Sequence, residues 1–223
     1  MRTTRLIAGT VSAGLLGLAP IAIAAPSQAA DNLTTATTAS SDKTTIVYGD
    51  DVYISVDVQG SDGLSATDGA STLYAMEAGS SAWVPVSTGT YPGSDFYPVK
   101  PRMTTTYKVV YGGYTATSAY EDTYQPSESP TFTIGVARKI TAPSSGFVLK
   151  GKVTPDYAKK KIVIKVSKKK NKGYKTWKTI KTDKRGKYLV RLPRRGGTWY
   201  WSFTTKADAK YLATGFGWRT WVS

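Results

Sequence analysis

The feature that most constrains the fold is an alternation of apolar and polar residues with a period of two. The clearest case is the segment 52–58, where Val or Ile occupies every second position. This is the spacing of a β-strand that buries one face. Beyond the first thirty residues, no segment has the 3.6-residue period of an amphipathic helix. The sequence therefore predicts an all-β fold of short strands, a sandwich or a barrel.

Further strands are predicted wherever β-branched and aromatic residues cluster between turn signals such as Asp68-Gly69. In the first half these segments are 73–76, 83–86, 107–111 and 132–136. In the second half they are 162–166, 174–182, 188–192 and 199–203. The hairpin between 162–166 and 174–182 is predicted to place Lys168 to Lys172 in its loop, with Gly173 at the end.

Residues 1–30 have the pattern of a cleaved secretory signal peptide. Arg2 and Arg5 precede an apolar run over 6–25, and small residues follow at the predicted cleavage site after Ala29 or Ala30. A retained membrane anchor is the alternative interpretation. No later segment approaches the roughly 20 apolar residues of a membrane helix. We therefore expect a secreted, extracellular protein that has no membrane span after cleavage, and association with the cell wall is compatible with this location.

Charge divides the remaining chain into two parts of opposite sign. Residues 31–136 contain twelve acids and four bases, whereas residues 137–223 contain three acids and twenty-four Lys or Arg. The net charges are −8 and +21, and the sign changes near the end of the strand at 132–136. We expect a small polar, Thr- and Ser-rich flexible leader at 31–43, an acidic domain at 44–136 and a basic domain at 137–223.

The order of motifs in the basic half resembles a known family. A Gly-x-Val-x-Pro opening at 151–155 precedes a strand at 161–165, then Trp177, then a Thr-Asp-x-x-Gly-x-Tyr turn at 182–188. In that turn, Asp183 is predicted to accept backbone N–H groups and Gly186 to take a positive φ. This order resembles the Ig-like repeats of secreted and surface proteins of bacteria, especially actinobacteria.

The acidic half resembles a second repeat of the same type, through residues 47–50, Asp68-Gly69, Trp83, 106–111 and 124–129. The resemblance implies two tandem Ig-like β-sandwich domains after a cleaved signal peptide, in a Gram-positive cell envelope. It implies a fold much more strongly than a function, because such sandwiches carry unrelated roles.

The composition excludes most catalytic chemistry. The chain has no cysteine and no histidine, so disulfides, thiolate zinc sites, Cys nucleophiles and Ser-His-Asp triads are impossible. It also has no P-loop motif. We predict that the protein is not an enzyme and that it needs no cofactor or metal. Asp57, Asp62 and Asp68 could offer oxygen ligands to calcium, but solvated loop acids are the favoured interpretation.

Lysine runs in the second half predict a surface for anionic polymers, with Tyr174 as an exposed aromatic contact and Arg194-Arg195 as a second basic turn. The alternative is that these lysines only keep strand edges and loops soluble. Trp199 and Trp201 share a face with Phe203, which favours core packing over ligand stacking. The residues assigned to the surface are Lys159, Lys160, Lys161, Lys165, Lys168, Lys169, Lys170, Lys172, Tyr174, Lys175, Lys178, Arg194 and Arg195.

Three functions are compatible with these observations. The leading one is a non-catalytic protein of the cell envelope whose basic domain binds an anionic cell-wall or extracellular polymer: wall teichoic acid, an acidic glycan or anionic lipid headgroups. The second is a protein-interaction or adhesion module, including self-association, in which the acidic and basic domains attract each other. The third is non-specific binding of extracellular nucleic acid, because lysine attracts phosphate without reading bases.

Overall fold

The structure, a computed structural model, describes residues 30–142 and 146–223. It is all-β, with eighteen strands in these ranges. No helix in the described part of the chain is long and apolar enough to cross a membrane. The prediction of a signal peptide falls on residues 1–29, outside the described ranges.

The first sandwich is formed by β1 (Asn32–Leu33), β2 (Thr35–Ser41), β3 (Thr45–Val47), β4 (Val52–Gly60), β5 (Ser71–Glu77), β6 (Val84–Thr88), β7 (Phe96–Val99), β8 (Thr105–Tyr111), β9 (Thr123–Tyr124), β10 (Ser127–Glu128) and β11 (Phe132–Ala137). One sheet has the order β2-β4-β7. The facing sheet has the order β3-β11-β8-β5-β6, with β10 beside β8. The pairing of β3 with β11 is parallel, and the other pairs of these two sheets are antiparallel.

The prediction of a flexible leader at 31–43 is wrong. Strand β2 pairs along its whole length with β4, from Thr35 opposite Gly60 to Ser41 opposite Ile54. Thr37 is buried, and its hydroxyl bonds to that of Ser127, 2.7 Å away. Small Thr and Ala side chains hide the period of two, because burial here alternates between residues of similar polarity. The segment is therefore the first edge strand of the sandwich.

The second sandwich is formed by β12 (Lys139–Ile140), β13 (Val148–Thr154), β14 (Lys161–Ser167), β15 (Lys175–Lys181), β16 (Lys187–Arg191), β17 (Gly197–Thr205) and β18 (Gly215–Val222). One sheet has the order β12-β13-β16 and the other has the order β15-β14-β17-β18. All of these pairs are antiparallel.

The two sandwiches share one topology. Strands β2, β4 and β7 of the first sandwich correspond to β12, β13 and β16 of the second, and each set forms one sheet. Strands β5, β6, β8 and β11 correspond to β14, β15, β17 and β18, and they belong to the facing sheets. This is the strand order of Ig-like domains, so the predicted class of two tandem all-β Ig-like sandwiches is confirmed. Neither sandwich has the disulfide of antibody domains, and its place between the sheets is filled by packed apolar residues such as Ile54 and Val109 in the first core and Trp201 in the second.

A loop of the second sandwich closes the junction between the two. Tyr211, in the β17–β18 loop, is 3% exposed and packs into the core of the first sandwich. Backbone hydrogen bonds cross the same junction, from Leu212 N–H to the Val136 carbonyl and from Thr104 N–H to the Lys210 carbonyl, both 2.9 Å. The second sandwich therefore has one end fixed against the first sandwich.

Candidate polyanion-binding surface

The second sandwich has two ends with different surroundings. The proximal end carries the loops at 155–160, 182–186 and 206–214, and it faces the first sandwich. The distal end carries the β14–β15 loop at 168–174 and the β16–β17 loop at 192–196. Since β14 runs from the proximal to the distal end and its partners run antiparallel to it, these assignments follow from the register.

All three acids of the second half lie at the proximal end. Asp156 is in the β13–β14 loop, Asp183 in the β15–β16 turn and Asp208 in the β17–β18 loop. The distal end has none, whereas Lys and Arg occur at both ends. The sequence shows the number of acids, but only the strand topology shows that they are gathered at one end.

The proximal acid Asp208 joins two cations. Its carboxylate accepts hydrogen bonds from Arg138 Nη2 at 2.6 Å and from Lys160 Nζ at 2.9 Å. Burial would raise the pKa of the Asp208 carboxyl, but these bonds hold that pKa well below its ordinary range. Lys160 was predicted to bind a polyanion. In the structure the Lys160 ammonium group is engaged with Asp208.

Arg138 is the most buried cation of the junction. Its side chain is 1% exposed, and Nε donates to the Pro155 carbonyl at 2.9 Å. The guanidinium lies between the rings of Tyr157 and Tyr211, 5.1 and 4.2 Å from their centroids. Its Nη1 has no hydrogen-bond partner in the described residues. Arg138 therefore belongs to the structure of the junction and not to a solvent-facing basic surface.

The β15–β16 turn has the structure that its sequence predicts. One Asp183 carboxylate oxygen accepts the backbone N–H groups of Arg185 and Lys187, both at 2.8 Å. These bonds lower the pKa of the Asp183 carboxyl. Gly186 has a φ of 75°, and Tyr188 returns to the core with its hydroxyl on the Thr141 carbonyl at 2.7 Å. The turn is therefore structural, as predicted.

The backbone of the β14–β15 loop at the distal end is held by hydrogen bonds, although the lysine side chains of the loop are exposed. The Ser167 hydroxyl donates to the Lys172 carbonyl at 2.6 Å and accepts the Lys169 N–H at 2.9 Å. The Tyr174 hydroxyl donates to the Lys170 carbonyl at 2.8 Å. Gly173 has a φ of 73°, which suits the end of the hairpin loop. Four lysine side chains therefore leave one loop whose backbone is held in place.

The β16–β17 loop brings two arginines to the same end. Trp199 connects the loops, since the Lys168 ammonium lies 5.3 Å and the Arg195 guanidinium 4.7 Å from its ring. Arg194 lies 5.5 Å from the ring of Phe147. We use the name distal tip for the six cations gathered here: Lys168, Lys169, Lys170, Lys172, Arg194 and Arg195. None of the six has an ion-pair partner in the described residues.

The structure separates the remaining predicted residues. Lys161 and Lys165 are exposed on β14, opposite Lys181 and Thr176 of β15. Lys175 and Lys178 lie on β15, the edge strand, and Lys159 lies in the proximal loop. The thirteen predicted residues thus occupy the distal tip with Tyr174, the hairpin strands and the proximal end, and only the first of these groups is compact and free of acids.

A second basic surface was missed by sequence reasoning. On the outer side of the β12-β13-β16 sheet, Lys150 and Lys152 lie opposite Leu189 and Lys187, and Val148 lies opposite Arg191. We call this the rear basic face. A groove of about 680 Å³ runs along it toward Lys181. The signal was present as lysine at alternate strand positions, but no run of consecutive bases draws attention to it.

The aromatic residues divide as their alternation predicts. Trp201 and Phe203 are fully buried, and Trp177 packs edge-on against Trp201 at 5.1 Å. Trp218 is half-buried and donates to the Gly146 carbonyl at 3.1 Å, whereas Trp221 is 63% exposed. Core packing is thus confirmed for Trp201, and Trp199 is half-buried beneath the distal tip.

The described residues contain no group of three acids placed to hold a metal ion. Asp57 points outward from β4, and the Asp62 carboxylate is used within its own turn, where it accepts the Leu64 N–H at 3.0 Å. The calcium interpretation of Asp57, Asp62 and Asp68 therefore has no geometric support in this part of the chain.

Comparison with known proteins gives no family. No protein-family model matches the sequence, and no curated protein does. Among solved structures, the chain is similar to the human OSCAR ligand-binding domain (12% identity, 83% of this chain, 97% of that chain, TM-score 0.31). It is also similar to the FN1–FN3 domains of chicken CNTN1 (14%, 85%, 66%, 0.30) and to the NIE–MG1 domains of Escherichia coli alpha-2-macroglobulin (12%, 81%, 96%, 0.26). Likenesses of this size carry no functional argument, and the Ig-like fold rests on the strand order.

Proposed function

We propose that this protein is a secreted, non-catalytic binding protein of the cell envelope whose second sandwich holds anionic polymers. The observation that carries the proposal is the placement of charge within that sandwich. Its three acids lie at the proximal end, and the six cations of the distal tip have no acidic partner in the described residues. A solubilising distribution of lysines needs no such separation, since acids and bases can be mixed freely on a surface.

The chemistry of the distal tip suits a polymer. Four of its six cations are lysines, compact point charges on flexible stems that attract phosphate, sulfate or carboxylate without demanding one geometry. The Ser167 and Tyr174 hydroxyls hold the backbone of the β14–β15 loop, so its lysines are kept close together despite their repulsion. The polymer should bind at the protein surface, with an affinity that sums the contributions of several charge contacts and that salt strongly weakens. Lys161, Lys165 and the rear basic face extend the path that a long polymer can follow.

The test is binding of the purified protein to immobilised acidic polymers, measured over a salt series. Wall teichoic acid, an acidic glycan, anionic vesicles and duplex DNA form the arms, with a neutral glycan and neutral vesicles as controls. We expect binding to the acidic arms that falls at least about tenfold between ~50 and ~200 mM salt. Absence of binding to every acidic arm at physiological salt contradicts the proposal, and preference for DNA replaces it with the nucleic-acid function.

Self-association is the second candidate, and it is favoured by the net charge of −8 on residues 31–136 beside +21 on residues 137–223. An acidic first sandwich of one copy would then cover the distal tip of another. Light scattering at low and high salt decides between the two. A mass that rises at low salt supports self-association, and a constant monomer mass removes it.

A further inference from the structure

The outer side of the β15-β14-β17-β18 sheet, which we call the front face, has a cleft beside the distal tip. The cleft has a volume of about 730 Å³. It lies over the pairing of β17 with β18, where Tyr200 is opposite Arg219 and Ser202 is opposite Gly217. The β14–β15 loop closes one side. The side chains used below are Lys170, Asn171, Tyr174, Tyr200 and Arg219, with Gly217 between them.

Gly217 leaves open space in the cleft because it has no side chain. A Cβ at this position would meet nothing closer than the Trp201 carbonyl oxygen at 3.9 Å. The backbone of Gly217 is not in the left-handed region that favours glycine. Neither packing nor backbone conformation therefore requires glycine at 217, and in a strand glycine costs stability relative to a β-forming residue. The open space on the sheet is the feature that glycine provides.

The residues that line the cleft combine cationic, hydrogen-bonding side chains with aromatic surface. Arg219 presents a planar guanidinium, which binds a carboxylate or phosphate through two parallel hydrogen bonds. In the described residues it has no hydrogen-bond or ion-pair partner of its own. Lys170 adds a second positive charge, and Asn171 can both donate and accept. Tyr174 and Tyr200, both half-buried, add aromatic surface with hydroxyl groups.

We propose that this cleft binds one acidic sugar residue of the polymer. The acidic group would pair with Arg219 and Lys170, the ring would pack on Tyr200, and Asn171 would hydrogen-bond a ring hydroxyl. A bare polyphosphate has the charge but no ring to fill the space. A neutral sugar has the ring but leaves the two cations without a partner. The inference rests on the proposed function and makes it specific: the polymer is an acidic glycan, recognised by a saccharide unit as well as by its charge.

The sharpest test fills the cleft without changing charge. Gly217→Thr places a β-forming side chain in the open space, and Gly112→Thr in the first sandwich is the matched control, since its φ is also ordinary and a Cβ there would meet only a carbonyl oxygen at 3.7 Å. Calorimetric titration of the whole protein would use a uronic-acid hexasaccharide, called hexuronate here, together with a neutral hexasaccharide and inorganic polyphosphate. We expect Gly217→Thr to weaken hexuronate binding about tenfold or more and to leave polyphosphate binding unchanged. Gly112→Thr should change neither.

A second pair of variants separates the contact from the net charge. Arg219→Met and Arg185→Met remove the same charge, but Arg185 lies in the proximal β15–β16 turn. Arg219→Met should weaken hexuronate binding about tenfold more than Arg185→Met does, because a charge-assisted hydrogen bond is lost only in the former. Polyphosphate binding should fall less than hexuronate binding in Arg219→Met, and least in Arg185→Met, because Arg185 is remote from the distal tip. Far-ultraviolet circular dichroism and the unfolding midpoint verify that each variant is folded.

The outcomes distinguish the two proposals. If the protein binds polyphosphate and hexuronate equally, or if Gly217→Thr binds hexuronate like the unmodified protein, the cleft inference is wrong and polyanion binding stands. If it binds neither probe, both proposals fail. If Gly217→Thr weakens the binding of a DNA oligomer more than the binding of hexuronate, the cleft accepts a base and the assignment to a sugar is overturned.

Discussion

The two ends of the second sandwich use charge in opposite ways. At the proximal end, Asp208 binds Arg138 and Lys160, and Arg138 lies between two tyrosine rings with almost no exposure. At the distal end, six cations lie on two loops with aromatic rings beneath some of them and no acid among them. The comparison teaches that a count of basic residues mixes two populations. Arg138 and Lys160 are partnered by Asp208 inside the protein, whereas no cation of the distal tip has an acidic partner in the described residues.

The largest expected effect is at the proximal end. Asp208→Ala removes the carboxylate that faces the buried Arg138 guanidinium, and a buried charge without its partner is strongly destabilising. Because the Asp208 side chain is 35% exposed, we expect a loss near the lower limit for such pairs, about 3 kcal/mol. Urea unfolding measures it. Lys206→Ala, in the same loop, is the control and should change stability by less than ~0.5 kcal/mol; an equal loss in both variants would remove the distinction between the ends.

The same contact predicts a dependence on pH. The pKa of Asp208 is lowered in the folded protein, relative to about 3.9 when unfolded. The stability that this carboxylate contributes is therefore complete above the unfolded pKa and is lost as pH falls through the folded pKa. The difference in unfolding free energy between the unmodified protein and Asp208→Asn should narrow steadily below about pH 4. A difference that stays constant from pH 6 to pH 2 would contradict the assigned contacts.

A smaller effect is expected beneath the distal tip. Trp199→Leu keeps an apolar residue but removes the ring that faces both Lys168 and Arg195. Cation–π contacts at exposed sites contribute about 0.5–1 kcal/mol each, so a total loss of about 1–2 kcal/mol is expected. Unfolding at low and high salt gives the value. Trp221→Leu, which alters an exposed ring on the other face of the sheet, should have little effect.

The smallest effect on stability is expected at the tip lysines themselves. Changing Lys168, Lys169, Lys170 and Lys172 together to Gln removes four exposed charges that repel each other and that have no acidic partner in the described residues. We expect the free energy of unfolding to change by less than about 1 kcal/mol, because the relief of repulsion offsets the lost contact between Lys168 and Trp199. A large loss would mean that these lysines stabilise the fold and are not available for a ligand.

Local sequence signals predicted the fold well. The alternation in β4, the hairpin around Lys168–Lys172 and the Asp183–Tyr188 turn depend on residues close in sequence, so their patterns can be read directly. Strand β2 escaped because Thr and Ala give no contrast between its faces. The contact of Lys160 with Asp208 spans 48 residues, and the front-face cleft depends on strands brought together only by folding. Such features require the register.

The most direct measurement compares two variants with the same change in net charge. One carries Gln at the four tip lysines, and the other carries Gln at four exposed proximal residues: Lys184, Arg185, Lys206 and Lys210. Affinity for an acidic glycan is measured for both at the same salt concentration. We expect the tip variant to bind about tenfold or more weaker than the proximal variant, because location decides which cations meet the polymer. Equal losses would show that binding follows net charge alone and would contradict the division between the two ends.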